Sequence, residues 1–131
     1  MVRAAGLIMI AMQATAAAPS RWIEAAHSAD GVIYYLDMSR STINVDHPVA
    51  WFRIDASHAH DSPFNFSLQR VEFDCPGYRM RVASGTTYRE LNGPGLTLIP
   101  QYTLTDIVPD SVAENLADVV CPAALRRRGA Q

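Results

Sequence analysis

Asp55, His58, His60 and Asp61 fall within a seven-residue stretch. Imidazole nitrogens and carboxylates are the ligand types that hold divalent transition metals. The surrounding run, residues 57–63, is rich in Ser, Asp and His, which is also the composition of an exposed loop between strands. The loop reading is the expectation, and no metal is assigned. A second group is cationic. Arg79 and Arg81 alternate with Tyr78, Met80 and Val82, which places both guanidinium groups on one face of a strand. Arg89 is a candidate neighbour on the pairing strand. Guanidinium forks receive anionic partners through paired hydrogen bonds, so Arg79, Arg81 and Arg89 are the candidate binding residues. The competing reading is a solvated face balanced by Glu72, Asp74 and Glu90, with Arg79 supporting the sheet through Asp74. Neither a Gly-x-Ser-x-Gly elbow, a phosphate-cradling glycine loop nor a zinc-protease histidine pair occurs. Neither catalysis nor a cofactor is expected.

The remaining chemistry belongs to Cys75 and Cys121, the only two cysteines. Their redox state depends on compartment, and the N-terminus speaks to that. Arg3 supplies a positive start and residues 7–14 form a short apolar run. Ala14-Thr15-Ala16 and Ala16-Ala17-Ala18 offer the small-x-small pattern of signal-peptidase sites. Residues 1–18 are therefore expected to be a cleaved export signal. The apolar run is shorter than the roughly 20 residues that span a bilayer. No cysteine lies near the cleavage site to accept a lipid. An exported chain with two cysteines pairs them, which predicts a Cys75–Cys121 disulfide. The expected location is the periplasm or the cell surface.

The elements that must position these groups read as strands first and one helix last. Residues 22–26, 32–37, 42–45 and 49–56 are strand candidates, rich in β-branched and aromatic side chains. Ala29-Asp30-Gly31 and Asp46-His47-Pro48 turn the chain. Tyr34, Tyr35, Trp51 and Phe52 are expected in the core and as cover for the sheet. Along residues 64–75, Phe66 and Leu68 share one phase, while Val71, Phe73 and Cys75 share the other. A one-residue slip exchanges faces, so a β-bulge is expected near Gln69 or Arg70. Pro76-Gly77 leads into the strand that carries Arg79 and Arg81. Gly85 is expected to break that strand, and residues 86–91 to continue it or pair back. Residues 92–95 form a turn, and residues 96–104, interrupted by Pro100, have no clear state. Ser111 and Glu114 have capping-box spacing. Val112, Leu116, Val119 and Val120 then form one apolar helical face, and Pro122 stops the helix.

At 131 residues, 49% of them hydrophobic and 18% charged, the chain is sized for one folded domain. All eleven basic residues are Arg, and the formal net charge is −2. A broad basic footprint for nucleic acid is absent. Arg126, Arg127 and Arg128 form the one basic cluster, in a tail expected to be frayed. Nothing beyond the leader has the length of a membrane span. The expected division is residues 1–18 as signal, 19–122 as the domain and 123–131 as a flexible basic tail.

Taken in order, these residues resemble the surface-adhesin protein E-like family. Trp22 and the Tyr34-Tyr35-Leu36-Asp37 strand match its opening, and Thr42-Ile43 its next step. Trp51 matches the central tryptophan of its next strand. Glu72-Phe73-Asp74-Cys75 with Tyr78-Arg79 is the most specific part. Pro109, Ser111, Glu114, Leu116 and Val120-Cys121 match the end. The resemblance implies an α+β fold: a single antiparallel sheet with a C-terminal helix packed across one face and tied by the disulfide. It implies a non-enzymatic surface or periplasmic protein whose partner is a host extracellular-matrix or envelope protein. The link from Asp37 to Ile43 is longer than the family pattern.

Overall fold

The computed structural model describes residues 21–59, 62–90 and 92–127. The expected export signal lies outside the described residues, as do His60, Asp61, Leu91 and residues 128–131. Seven antiparallel strands form one sheet: β1 (Trp22–His27), β2 (Ile33–Asp37), β3 (Val49–Asp55), β4 (Phe66–Asp74), β5 (Arg79–Tyr88), β6 (Gly95–Thr97) and β7 (Thr105–Asp106). The spatial order follows the sequence from β1 to β6, and β7 also pairs with β5. Each turn therefore joins neighbouring strands, as short connections favour. One helix follows, α1 (Val112–Val120).

Alternation divides the sheet into two faces. On one, Leu36, Ala50, Phe52, Ile54, Val71 and Phe73 are buried and join Leu116, Ala117 and Val120 of α1 in a single apolar cluster. Phe52 and Phe73 meet edge to face, with centroids 6.3 Å apart. Val112, Ala113 and Leu116 share a cleft of 190 Å³ with Tyr34, Phe52, Ile54 and Met80. The disulfide is present: Cys75, directly after β4, is bonded to Cys121 at the end of α1, with their Cα atoms 5.9 Å apart.

The structure corrects several expectations. Residues 42–45 do not form a strand; Thr42 makes one bridge to Val49. The chain leaves extended geometry at Asn44, whose φ is 61°, and its N–H turns to the Val120 carbonyl at 2.7 Å. The expected irregularity beside Arg70 is present, but β4 is not the bulged strand. β4 pairs with β3 without a break, and the shift lies between β4 and β5, where Arg70 faces Ser84 but Val71 faces Val82. The extra residue is Ala83 in β5. On β4, Ser67 and Gln69 simply continue the phase of Val71 and Phe73, with Ser67 fully buried. Nor does Gly85 break β5. A Cβ there would stand 2.7 Å from the Leu68 carbonyl and 2.7 Å from Leu98, so glycine lets three chain segments pack closely.

The helix start is also half of what its spacing suggests. Ser111 Oγ accepts from the Glu114 N–H at 3.3 Å. The Glu114 carboxylate turns inward and accepts from the Tyr78 hydroxyl at 2.9 Å. Both side chains are buried. Tyr78 adopts a positive φ of 53°, which is uncommon for a bulky residue. Arg127 lies 4.7 Å from its ring centroid. Contacts with the domain after the helix thus extend as far as Arg127. Residues Ala123–Leu125 form a short 3-10 turn, and Arg126 donates to the Cys121 carbonyl at 3.2 Å.

Burial, reinforced by Glu114, pushes the Tyr78 hydroxyl from 10.0 up to about 12. A folded-state value above the unfolded one means the folded chain holds the proton longer. The resulting stabilisation is complete below pH 10 and lost as pH rises towards about 12. Tyr78→Phe is expected to cost about 1–3 kcal/mol at neutral pH, because the Glu114 carboxylate loses its buried donor. The same variant should lack this alkaline loss. Urea melts at neutral pH and near pH 11 check both; unchanged curves would remove the pair from the fold's support.

Candidate functional site

The three candidate arginines lie on β5 and directly after its end. Arg79 and Arg81 project from β5 opposite Asp74 and Glu72 of β4. Both guanidinium groups are already engaged. Arg79 meets Asp74 at 2.9 Å, and Arg81 meets Glu72 at 2.6 Å. The Arg81 hydrogen bond outweighs burial and holds the Glu72 carboxyl below its ordinary range. Arg79 and the Gly77 N–H do the same for Asp74. Glu72 in turn raises the Arg81 guanidinium. Arg81 also reaches the carbonyls of Gln101 and Tyr102, at 3.4 and 3.2 Å. The balanced reading of this pair thus has a structural counterpart: each guanidinium meets a carboxylate of β4, and Arg81 also fastens a neighbouring segment.

That segment, residues 95–108, takes in residues 96–104, to which the sequence gives no clear state. Its two ends pair with β5 as β6 and β7. Between them the backbone stays attached without forming a ladder. Leu98 N–H donates to the Gly85 carbonyl at 2.8 Å, and Gln101 N–H to the Val82 carbonyl at 2.8 Å. The Gln101 side chain accepts from Val82 N–H at 2.9 Å. Pro100 has no N–H to give, which accounts for the break in regular pairing. The result is a fastened ribbon in which Ile107 joins the core, Leu98 and Leu104 are half-buried, and four large apolar side chains face solvent. Leu96 is 75% exposed, Ile99 88%, Tyr102 80% and Val108 63%.

The ribbon borders two concavities. Arg79, Arg81, His47 and Tyr102 line an open groove of about 510 Å³. Arg89, Phe64, Tyr88, Pro94 and Leu96 line another of about 500 Å³ beyond the end of β5. Arg89 is therefore not part of one cluster with the other two. It follows Arg81 by eight positions, or about 26 Å along an extended strand. All three arginines instead flank the same ribbon.

The remaining candidates are dispersed. Asp55 Oδ1 accepts from the Ser57 N–H at 2.9 Å and from its hydroxyl at 2.6 Å. Burial pushes the Asp55 carboxyl up, but Ser57, His58 and Arg53 together bring it below its ordinary range. His60 and Asp61 lie outside the described residues. Among the described residues, no three His, Cys, Asp or Glu side chains converge as a metal site. Asp37 is almost completely buried, and Arg21 stands 3.3 Å from its Oδ2. Burial raises its carboxyl, and the Ser39 hydroxyl and N–H, with Arg21, more than reverse the effect. Trp51 sits half-buried on the face away from the core, whereas Phe52 is fully buried. No helix among the described residues is long and apolar enough to cross a membrane.

The family model for surface-adhesin protein E matches residues 22–122. Among solved structures, crystal form II of Haemophilus influenzae protein E is similar in fold. The TM-score is 0.54 at 16% identity, over 79% of this chain and 88% of that one. No curated protein matches the chain.

Proposed function

Because the chain belongs to the surface-adhesin protein E family, we propose that it is an exported, non-enzymatic binding domain that holds a macromolecular partner at the bacterial cell surface. The observation that carries this reading is the ribbon of Leu96, Ile99, Tyr102 and Val108, apolar, exposed and tied down by its backbone. Such side chains gain nothing for the fold, and strung along β5 from Leu96 to Val108 they offer an elongated apolar contact strip. Arg79, Arg81 and Arg89 supply the rim. An aromatic and aliphatic centre with arginine around it is the composition of protein–protein interfaces. Fastening the backbone beforehand reduces the ordering cost of association. The partner class is a host extracellular-matrix protein or another envelope protein. No nucleic acid, cofactor or metal enters the reading.

A second reading, a periplasmic envelope component without adhesive activity, is favoured by one feature. The expected cleavage region, residues 14–18, has no cysteine to carry a lipid anchor. Protease shaving of intact source cells separates the two. The adhesin reading expects the protein to be digested while a periplasmic marker survives. Protection until the outer envelope is opened would assign it to the periplasm and overturn surface display.

A further inference from the structure

The sheet face turned away from the core holds a different arrangement, independent of the ribbon. Register places Tyr35, Arg53 and Leu68 in one row across β2, β3 and β4, with Trp51 and Arg70 in the adjacent row. All five are half-exposed. Arg53 lies between two rings, 5.1 Å from the Trp22 centroid and 4.9 Å from that of Tyr35. Arg21 approaches Trp22 at 5.4 Å. Among the described residues Arg53 makes neither a salt bridge nor a side-chain hydrogen bond, and the carboxylate it influences, Asp55, stands two positions along β3. That separates it from Arg79 and Arg81, which carboxylates occupy.

A guanidinium placed against aromatic rings gives its faces to the π clouds and keeps its in-plane N–H fork for an acceptor. Arg70 stands diagonally across the β3–β4 pair, about 7–8 Å away at the backbone. It is held loosely, donating to Ser84 Oγ at 3.3 Å and standing 3.8 Å from Glu72. Trp51 and Leu68 complete an apolar floor beside the two cations.

We propose that this face binds an anionic polysaccharide. Its sulfate or carboxylate groups seat on Arg53 and Arg70, and its sugar rings rest against Trp51 and Leu68. Position in the sheet favours a glycan over an acidic peptide. Strands β2, β3 and β4 are each paired on both sides, so their main chains have no edge to offer. Extended peptides gain affinity from such edges. A sugar polymer needs only a flat floor and fixed cations.

The protein contains two tryptophans, and both belong to this face. Intrinsic fluorescence therefore reports occupancy directly. Titration with heparin should shift tryptophan emission saturably, and neutral dextran should not. Polyglutamate at equal charge should bind at least about tenfold more weakly. Arg53→Gln/Arg70→Gln should weaken heparin binding about tenfold or more. Arg53→Lys/Arg70→Lys keeps both charges and the fold but loses the forks, and should weaken it several-fold. Arg126→Gln/Arg128→Gln, which removes tail charges, should leave it unchanged. The proposal is overturned by absent heparin binding, by full affinity in the folded lysine variant, by loss in the tail variant alone, or by polyglutamate binding as tightly as heparin.

Discussion

Replacing both Cys75 and Cys121 by Ala is expected to lower the unfolding free energy by about 4 kcal/mol, the chain-entropy value for a loop of this length. The two residues are 46 positions apart, and both are about 99% buried. Removing both avoids leaving a reactive thiol. The size of the effect follows from what the bond secures. Helix α1 has nine residues, fewer than an isolated helix needs to persist in water. Its attachments are the apolar contacts of Leu116, Ala117 and Val120, the Tyr78–Glu114 hydrogen bond, the Asn44–Val120 bond and the disulfide. Without the bond, the unfolded chain regains the freedom of the whole loop while the other attachments remain. The midpoint of thermal unfolding should fall by roughly 15–30 °C for a domain of this size. An unchanged melting curve would show that packing alone holds the helix.

The parts of this fold legible in sequence are those where one signal had no competitor. β2 and β3 combine β-branched and aromatic residues with clear alternation, and both appear within one residue of expectation. The helix showed an apolar stripe between Ser111 and Pro122, and it occupies that interval. The disulfide followed from the pairing rule for exported chains, and it forms.

Failures had physical causes. On β4 the core face carries Ser67 and Gln69, while Phe66 and Leu68 occupy the opposite, half-buried face. An alternation rule that equates apolar with inward therefore invents a slip in a strand that has none. The register shift does fall beside Arg70, but its extra residue is Ala83 of β5, a small residue that gives no signal in the pattern. Glu114 has the spacing of a capping partner, and a buried hydroxyl from Tyr78 competes for the same carboxylate. That competitor lies 36 positions away, beyond any local pattern.

The ribbon was missed for another reason. Leu96, Ile99 and Tyr102 recur every third position around Pro100, which matches neither strand nor helix. That mismatch was itself the signal. Large apolar residues at a spacing that fits neither strand nor helix, beside a proline that interrupts pairing, need not face the core, and Leu96, Ile99 and Tyr102 do not. The arginines were identifiable as a group, but their division between two concavities depends on the length of β5.

If the ribbon is the contact surface, its removal should abolish binding with little effect on folding. Leu96→Ser, Ile99→Asp and Tyr102→Ser together delete the three most exposed large apolar side chains among the described residues. Substitutions at exposed positions typically change stability by no more than about 0.5 kcal/mol each. Truncating anchors at the centre of an interface commonly costs 2 kcal/mol or more apiece, so affinity should fall by at least about a hundredfold. The direct measurement is binding of the wild-type and triple-variant proteins to immobilised extracellular-matrix proteins, with melting curves recorded for both. Saturable binding by the wild type, lost in a variant that melts normally, is the predicted result. Equal binding by the two proteins, or none by the wild type, would contradict the assignment of the ribbon as an adhesive surface.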